Sequence, residues 1–474
     1  MSEEKSKSRN LIEGMLIYAI GNFGSKILVF LIVPLYTYYI STEDMGNYDL
    51  VLTTVNLLTP IVTMQISDAA FRWMIRTDKG NEVYIRSTIQ VLIINSLIAA
   101  GVIFIINSIH PILYCEFFVG VLITSRALAT IQKLLRGLKN QKLFAVSGIL
   151  YTVIFLALNI IKICCLHQGV ESLFQSAIIS NLITLVVIFL LEKQLRINYW
   201  LKPNTSVIKK LLKFSIPLVP NQLNWWIINS SDRYIIRFFL NASANGIYSI
   251  SYKFPTMLQV ILSLFTTSWQ DVAVSDTEKK PSSFYSDVFK QLYILSFGLL
   301  WVLNPITKIF ILLFMNSDYH TAARYVSFLY LGTVFQSFAS FYGVGYLRDK
   351  KTKNASLTSI YGALINAAVN IALIRFIGLQ AASVSTFLGF LIMWLIEKQN
   401  RDELNVTIDK KHFLLLFCPT LILSLAECFT GLYIDIVLSF LGIAVFLFVN
   451  RKMISLLLVK IHKKCEIDRV KKHE

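Results

Sequence analysis

Apolar stretches of about twenty residues recur along almost the whole chain, separated by short polar connections. At about 1.5 Å per residue, such a stretch crosses the roughly 30 Å hydrocarbon core of a bilayer as one helix. The pattern predicts spans near 12–36, 44–66, 85–108, 111–131, 143–163 and 171–191. A second set falls near 211–240, 245–272, 288–315, 321–345, 356–376 and 378–396, and a final pair near 413–433 and 434–450. Only the turn from Gly431 to Asp435 separates that pair, and residues 453–459 either extend its last helix or lie along the membrane surface. The strands of a membrane barrel are half as long and alternate polar with apolar positions, which these segments do not. The expected fold is an all-α polytopic membrane protein of about 14 helices. It is organised as 1–194 (helices one to six), 195–400 (helices seven to twelve) and 401–474 (the last pair with a basic tail).

Composition agrees with this pattern. Charged residues make up only 15% of the 474, against about 25% in a soluble domain. The start, MSEEKSKSRN, is basic like a secretory leader, but the apolar run after it is too long and lacks a small-residue cleavage site. It is expected to stay as the first helix. The six cysteines form no C-x-x-C pair, and no phosphate-binding G-x-x-x-x-G-K-[ST] or paired-histidine motif occurs. No cofactor or metal is therefore expected.

The net charge of +17 is distributed in a way that explains it. With the N-terminus placed in the cytoplasm, 37 of the 45 Lys and Arg residues fall in every second connection or in the termini. The opposite connections, such as NSIHP and NASANG, contain none. This is the positive-inside pattern, which sets an even helix count and two cytoplasmic termini. It leaves no need for a nucleic-acid partner. Eight basic residues stay unexplained: Lys26, Lys162, Arg233, Arg237, Lys253, Lys308, Arg324 and Arg375. Five of them lie near outer helix ends and could snorkel; Lys26, Arg233 and Lys253 are deeper.

An internal repeat follows from the same spans. YYISTEDMGNYDL from Tyr38 aligns without gaps on FFLNASANGIYSI from Phe238, pairing Gly46 with Gly246 and Tyr48 with Tyr248. LEKQ at 191–194 recurs as IEKQ at 396–399 in the equivalent place. Six helices per half is an even number, so the halves are parallel repeats, an arrangement that commonly encloses a central site.

The segment FSIPLVPNQLNWWIINSSDRYIIRFFL, followed by GIYSISYKF and SWQD, resembles helices seven and eight of bacterial polysaccharide (O-antigen, Wzx-type) flippases. GNFGSKILVFLIVPLYTYYIS and GNYDL are similar to helices one and two of that branch. It belongs to the superfamily that also holds multidrug-and-toxin extrusion transporters. The resemblance implies a non-enzymatic flippase of the bacterial cytoplasmic membrane that moves undecaprenyl-diphosphate-linked oligosaccharides between leaflets. It further implies membrane lipid as surroundings and a polysaccharide polymerase with its chain-length regulator as partners; a coupling ion (H+ or Na+), the membrane potential and the substrate gradient are alternative sources of energy.

The residues themselves point the same way. Asn221, Trp225, Asn229, Arg233 and Arg237 are spaced four apart and form one helical stripe of amide, indole and guanidinium. If helices one, two, seven and eight line a cavity, as the resemblance implies, Lys26, Arg233 and Lys253 are candidates to receive the diphosphate. Asp232 would temper the charge between cycles. The competing reading is that each cation pairs with an acid, as Arg233 could with Asp232, or snorkels. Asp68, Arg72 and Asp271 are candidates for an inner gate, with helix-end pairing as their commoner explanation. Pro217 and Pro220 should kink helix seven. Glu116, Glu427 and Asp435 are candidate proton or sodium carriers, placed toward outer helix ends. A multidrug antiporter for cations would want an acidic cavity, and a lipid II flippase fits the helix-seven motif less well. A membrane glycan polymerase would need an outer platform, and no outer connection exceeds about ten residues, far short of a folded domain.

Overall fold

Ser41 opens the first long helix whose placement is defined. Its hydroxyl accepts the Asp44 backbone N–H at 3.1 Å, and Glu43 and Asp44 complement the positive end of the helix dipole. The computed structural model describes residues 28, 30–76, 80–275, 281–348, 352–399, 405–451 and 455, and all their regular elements are helical. A short α1 (Val33–Tyr39) carries Pro34 in its first turn, where a missing N–H is harmless. Most of the expected first span lies outside the described residues.

Helix α2 (Thr42–Thr63) ends in two consecutive non-glycine residues with left-handed backbone, Met64 (φ 46°) and Gln65 (φ 52°). The chain then turns by 57° into α3 (Ile66–Met74). There follow α4 (Asn81–Ile109), α5 (Cys115–Gly137), α6 (Gln141–Asn159, continued by a π-turn to Cys165) and α7 (Glu171–Leu191). The segment expected as one span at 211–240 is two helices, α8 (Thr205–Ser215) and α9 (Val219–Phe239). Pro217 sits in the 3-10 turn Ile216–Leu218 between them, where the sequence places a kink. The remainder is α10 (Ala242–Ser275), α11 (Ser282–Phe314), α12 (Ala323–Arg348), α13 (Thr352–Ile377), α14 (Gln380–Gln399), α15 (Lys410–Ala426) and α16 (Leu432–Val449).

Among the described residues, eight helices are long and apolar enough to cross a membrane, and the bent α2–α3 pair makes a ninth. Helices α9, α10 and α12 fall short of that apolarity, and α15 has only 17 residues.

The chain divides into two compact units, Met1–Ser249 and Ile250–Glu474, so α8 and α9 pack with the N-terminal helices. In the first unit, α5 packs on α7 and α3, while α9 packs along α2 and α8 along α3. Its core gathers Met74, Ile85, Leu128, Leu134, Leu135 and Ile188. In the second unit, α14 packs against α12 and α13, and α11 against α16. Aromatic rings fill its centre: Phe335 and Phe338 lie 5.4 Å and 5.9 Å from Trp394, which stacks on Phe413 at 5.5 Å. Glycine brings α11 and α16 together, since a Cβ on Gly442 would stand 2.0 Å from the Trp301 carbonyl oxygen.

Candidate substrate cavity

The repeat visible in the sequence meets itself in space. A Cβ on Gly46 would fall 1.9 Å from the Ala242 carbonyl oxygen, and one on Gly246 would fall 1.8 Å from that of Thr42. Residues 42 and 242 are themselves equivalent in the alignment, so the contact between α2 and α10 is symmetric. The Asn245 side-chain amide seals it with a 2.8 Å bond to the Gly46 carbonyl. Only glycine permits backbones this close.

One turn further along α2, Asp49 meets α9. Its Oδ2 accepts from Arg233 Nε at 2.9 Å, and Arg233 Nη1 donates to Asp232 Oδ1 at 3.1 Å. Nη1 also donates to the Asn229 carbonyl at 3.0 Å, and the Tyr248 hydroxyl donates to Asp232 Oδ2. Asp232 and Arg233 are both buried. The Arg233 guanidinium is thus engaged by two carboxylates, one of which the sequence did not nominate. Asn229 turns its amide to the Trp225 carbonyl at 2.8 Å, while Arg237 is exposed and lines a small cavity with Asn47 and Thr54.

At the other end of α2, the strained bend at Met64–Gln65 borders two adjoining polar cavities. One of about 240 Å³ is lined by Asn56, Thr59, Gln65, Gln222, Trp225 and Arg126. The other, about 220 Å³, shares Thr59, Gln65 and Arg126 and adds Lys133 and Arg136. Trp226 is fixed beside them by its indole N–H, which donates to the Thr53 carbonyl at 3.0 Å. Two adjacent residues in left-handed backbone cost free energy, and such strain concentrates where a site needs a fixed geometry.

The cations around these cavities differ in how they are satisfied. Lys133 pairs with Asp68 at 2.5 Å. Arg136 lies over the rings of Phe71 and Phe144, 5.1 Å and 5.7 Å from their centres. Arg126 donates through Nε to Ser125 Oγ at 3.2 Å, and among the described residues no carboxylate lies within ion-pair distance of it. A half-buried guanidinium beside amides, hydroxyls and indole has donors to spare for an anionic ligand.

Of the residues nominated from sequence, Trp225 lines the cavity, and Arg233, Asp232 and Asn229 form the network at the opposite end of α9. Arg72 stacks on Phe214 at 4.4 Å, and Asp68 pairs with Lys133. Lys253 is half-buried in the C-terminal unit and has partners of its own. Lys26 and the side chain of Asp271 lie outside the described residues. Arg126 and Asp49 were missed.

These features define a polytopic helical membrane protein whose N-terminal unit holds a polar, cation-bearing cavity. Residues 11–269 match the family described as polysaccharide biosynthesis protein, and the chain belongs to that family. No curated protein sequence matches it. Its fold is similar to that of the lipid II flippase MurJ in an inward closed conformation, with a TM-score of 0.71 and 17% identity over 93% of this chain and all of that one. A multidrug resistance MATE family transporter of the MOP superfamily, inward-facing, gives 0.56 and 14% identity over 86% of this chain and 95% of the other. The Vibrio cholerae MATE transporter VcmN gives 0.54 and 12% identity over 85% and 99%. The chain therefore has the flippase and transporter fold shared by MurJ and the MATE proteins.

Proposed function

We propose that this protein flips undecaprenyl-diphosphate-linked oligosaccharide repeat units across the bacterial cytoplasmic membrane for surface polysaccharide synthesis, by alternating access. The observation that carries the reading is Arg126, a guanidinium with no carboxylate partner among the described residues, facing a polar cavity with Trp225 and Gln222. A diphosphate supplies the anion that Arg126 lacks, and sugar rings suit an indole face and amides. Family membership supports a role in polysaccharide synthesis. Both termini are cytoplasmic in this reading, and Lys133 and Arg136 attract the headgroup toward the cavity mouth. Lys26, Arg233 and Lys253 then meet the diphosphate at a later stage, once Asp49 has released Arg233. A polymerase and its chain-length regulator would take up the product.

The test is deletion of the gene followed by lipid extraction. Loss of surface polysaccharide with lipid-linked repeat units trapped in the inner leaflet is the expected result. Accumulated lipid II with intact polysaccharide would move the protein to peptidoglycan synthesis. Unchanged lipid pools with altered resistance to cationic drugs would replace the flippase reading with a multidrug exporter.

A further inference from the structure

Lys308, on α11 of the C-terminal unit, is the hub of a buried polar cluster at the α15–α16 turn. Its Nζ donates to the carbonyl oxygens of Glu427 (2.8 Å) and Thr430 (2.6 Å) and to Thr430 Oγ1 (2.7 Å). The same nitrogen stands 3.3 Å from Asp435 Oδ2 and 3.8 Å from Glu427 Oε2. Thr430 Oγ1 in turn donates to Asp435 Oδ1 at 2.6 Å. The Lys308 side chain is 8% exposed, that of Glu427 1% and that of Asp435 0%.

Charge counting decides what this cluster needs. Two carboxylates share one ammonium, so the fully ionised cluster is a buried monoanion. Among the described residues, no Lys or Arg other than Lys308 lies within ion-pair distance of Glu427 or Asp435. Helix α12 offers Arg324, which is exposed and whose carbonyl oxygen lies 3.6 Å from Cys428 Sγ. Helix α14 offers the neutral Gln380, bonded to the same sulfur at 3.6 Å. Tyr330 of α12 is bonded to Thr307 at 2.7 Å, and His320 of the preceding turn to the Met315 carbonyl at 3.0 Å. A second observation points to a ligand: Glu427 Oε1, on a side chain withdrawn from solvent, has no hydrogen-bond partner among the described residues. A buried group in that position takes up a proton in preference to standing as a bare anion.

We propose that Lys308, Glu427 and Asp435 form a binding site for one exchangeable proton, held on the carboxylate pair, and that the transport cycle uses it as its coupling ion. The second half rests on the flippase reading; the first does not. A proton fits better than an alkali cation because Lys308 Nζ already occupies the point where the carboxylate, carbonyl and hydroxyl oxygens converge. Protonation removes one of the two negative charges that hold the ammonium. It therefore loosens the tie between α11 and the α15–α16 turn, which gives the proton a mechanical effect.

Potentiometric titration of the purified full-length protein in detergent, without lipid-linked substrate, tests the site. Between about pH 8 and pH 6 an ordinary carboxylate stays ionised, and histidines cancel in a difference curve. Wild type should take up one proton per chain more than Glu427→Gln over that range. Asp435→Asn should lose the same single proton, since either carboxylate alone forms a neutral pair with Lys308. Both variants keep that pair, so each should elute as a monodisperse protein. Superimposable curves for wild type and both variants would overturn the site. Release of the proton by added sodium at constant pH would overturn it in favour of an alkali-cation site. Normal polysaccharide export by Glu427→Gln would remove the coupling role alone. Failure of the gene-deletion test leaves the titration untouched.

Discussion

Arg233 of α9 reaches across to α2 and binds Asp49 at 2.9 Å while holding its own chain neighbour Asp232 at 3.1 Å. The pair ties α9 to α2, about one turn along α2 from the point where Gly46 and Gly246 bring α2 against α10. One guanidinium balances two carboxylates, so the three positions are not equivalent to mutation.

Replacing Arg233 by Gln strands both Asp49 and the buried Asp232. Loss of about 3–5 kcal/mol is expected, the cost of removing one partner of a buried ion pair. Asp49→Asn leaves Arg233 neutralised by Asp232 and should cost only about 1–2 kcal/mol, that of one charged hydrogen bond. Thermal unfolding of the purified variants gives the comparison. Equal losses would mean that Asp49 and Asp232 share the charge in some other way.

Arg126 should behave in the opposite manner. With no carboxylate depending on it, Arg126→Gln is expected to leave stability unchanged or slightly raised, because an unpaired cation is removed. Export should nevertheless fall at least about tenfold, the equivalent of one charge-assisted bond of about 1.4 kcal/mol or more, with Arg126→Lys milder. Surface polysaccharide normalised to membrane protein level is the readout. Parallel loss of protein and export would make Arg126 a packing residue.

The glycine contact allows a clean comparison within the chain. Gly46→Ala or Gly246→Ala places a methyl group within 2 Å of a carbonyl oxygen, so the helices must separate, at a cost of about 1–3 kcal/mol. Gly148→Ala meets nothing within 4 Å in the middle of α6, and should be neutral or stabilising by about 0.5–1 kcal/mol. Melting temperatures of the three variants provide the check.

Cysteine labelling from either side of the membrane tests the orientation. Ser41, Asn241 and Asp318 should be reached from outside and Lys139 and Lys202 from inside. Labelling of Lys202 from outside would reverse the charge argument for the whole chain.

Much of this was legible in the sequence because it rests on spacing. Helix length, the equivalence of Gly46 with Gly246 and the adjacency of Asp232 to Arg233 are all properties of one dimension. The helix pair near the C-terminus was likewise visible in Gly431, which opens α16. Arg126 was not, for a specific reason. The positive-inside pattern absorbed it as the first residue of a basic connection, whereas α5 continues to Gly137 and carries Arg126 within the helix. Asp49 lay inside a quoted motif but had no visible partner until α9 was packed beside α2. The bend at Met64–Gln65 carries neither glycine nor proline, so no local signal marks it.

The Gly46 crossing also sets a mechanical ratio. It lies near one end of α2, and Gln65 lies just past the other, about 28 Å away at 1.5 Å per residue. With Gly46 as fulcrum, a tilt of about 10° carries the Gln65 end through about 5 Å, farther than the length of a hydrogen bond. A contact that admits no side chain at all therefore works as a lever bearing: the closer the two backbones touch, the smaller the motion there that redraws the cavity wall at the far end.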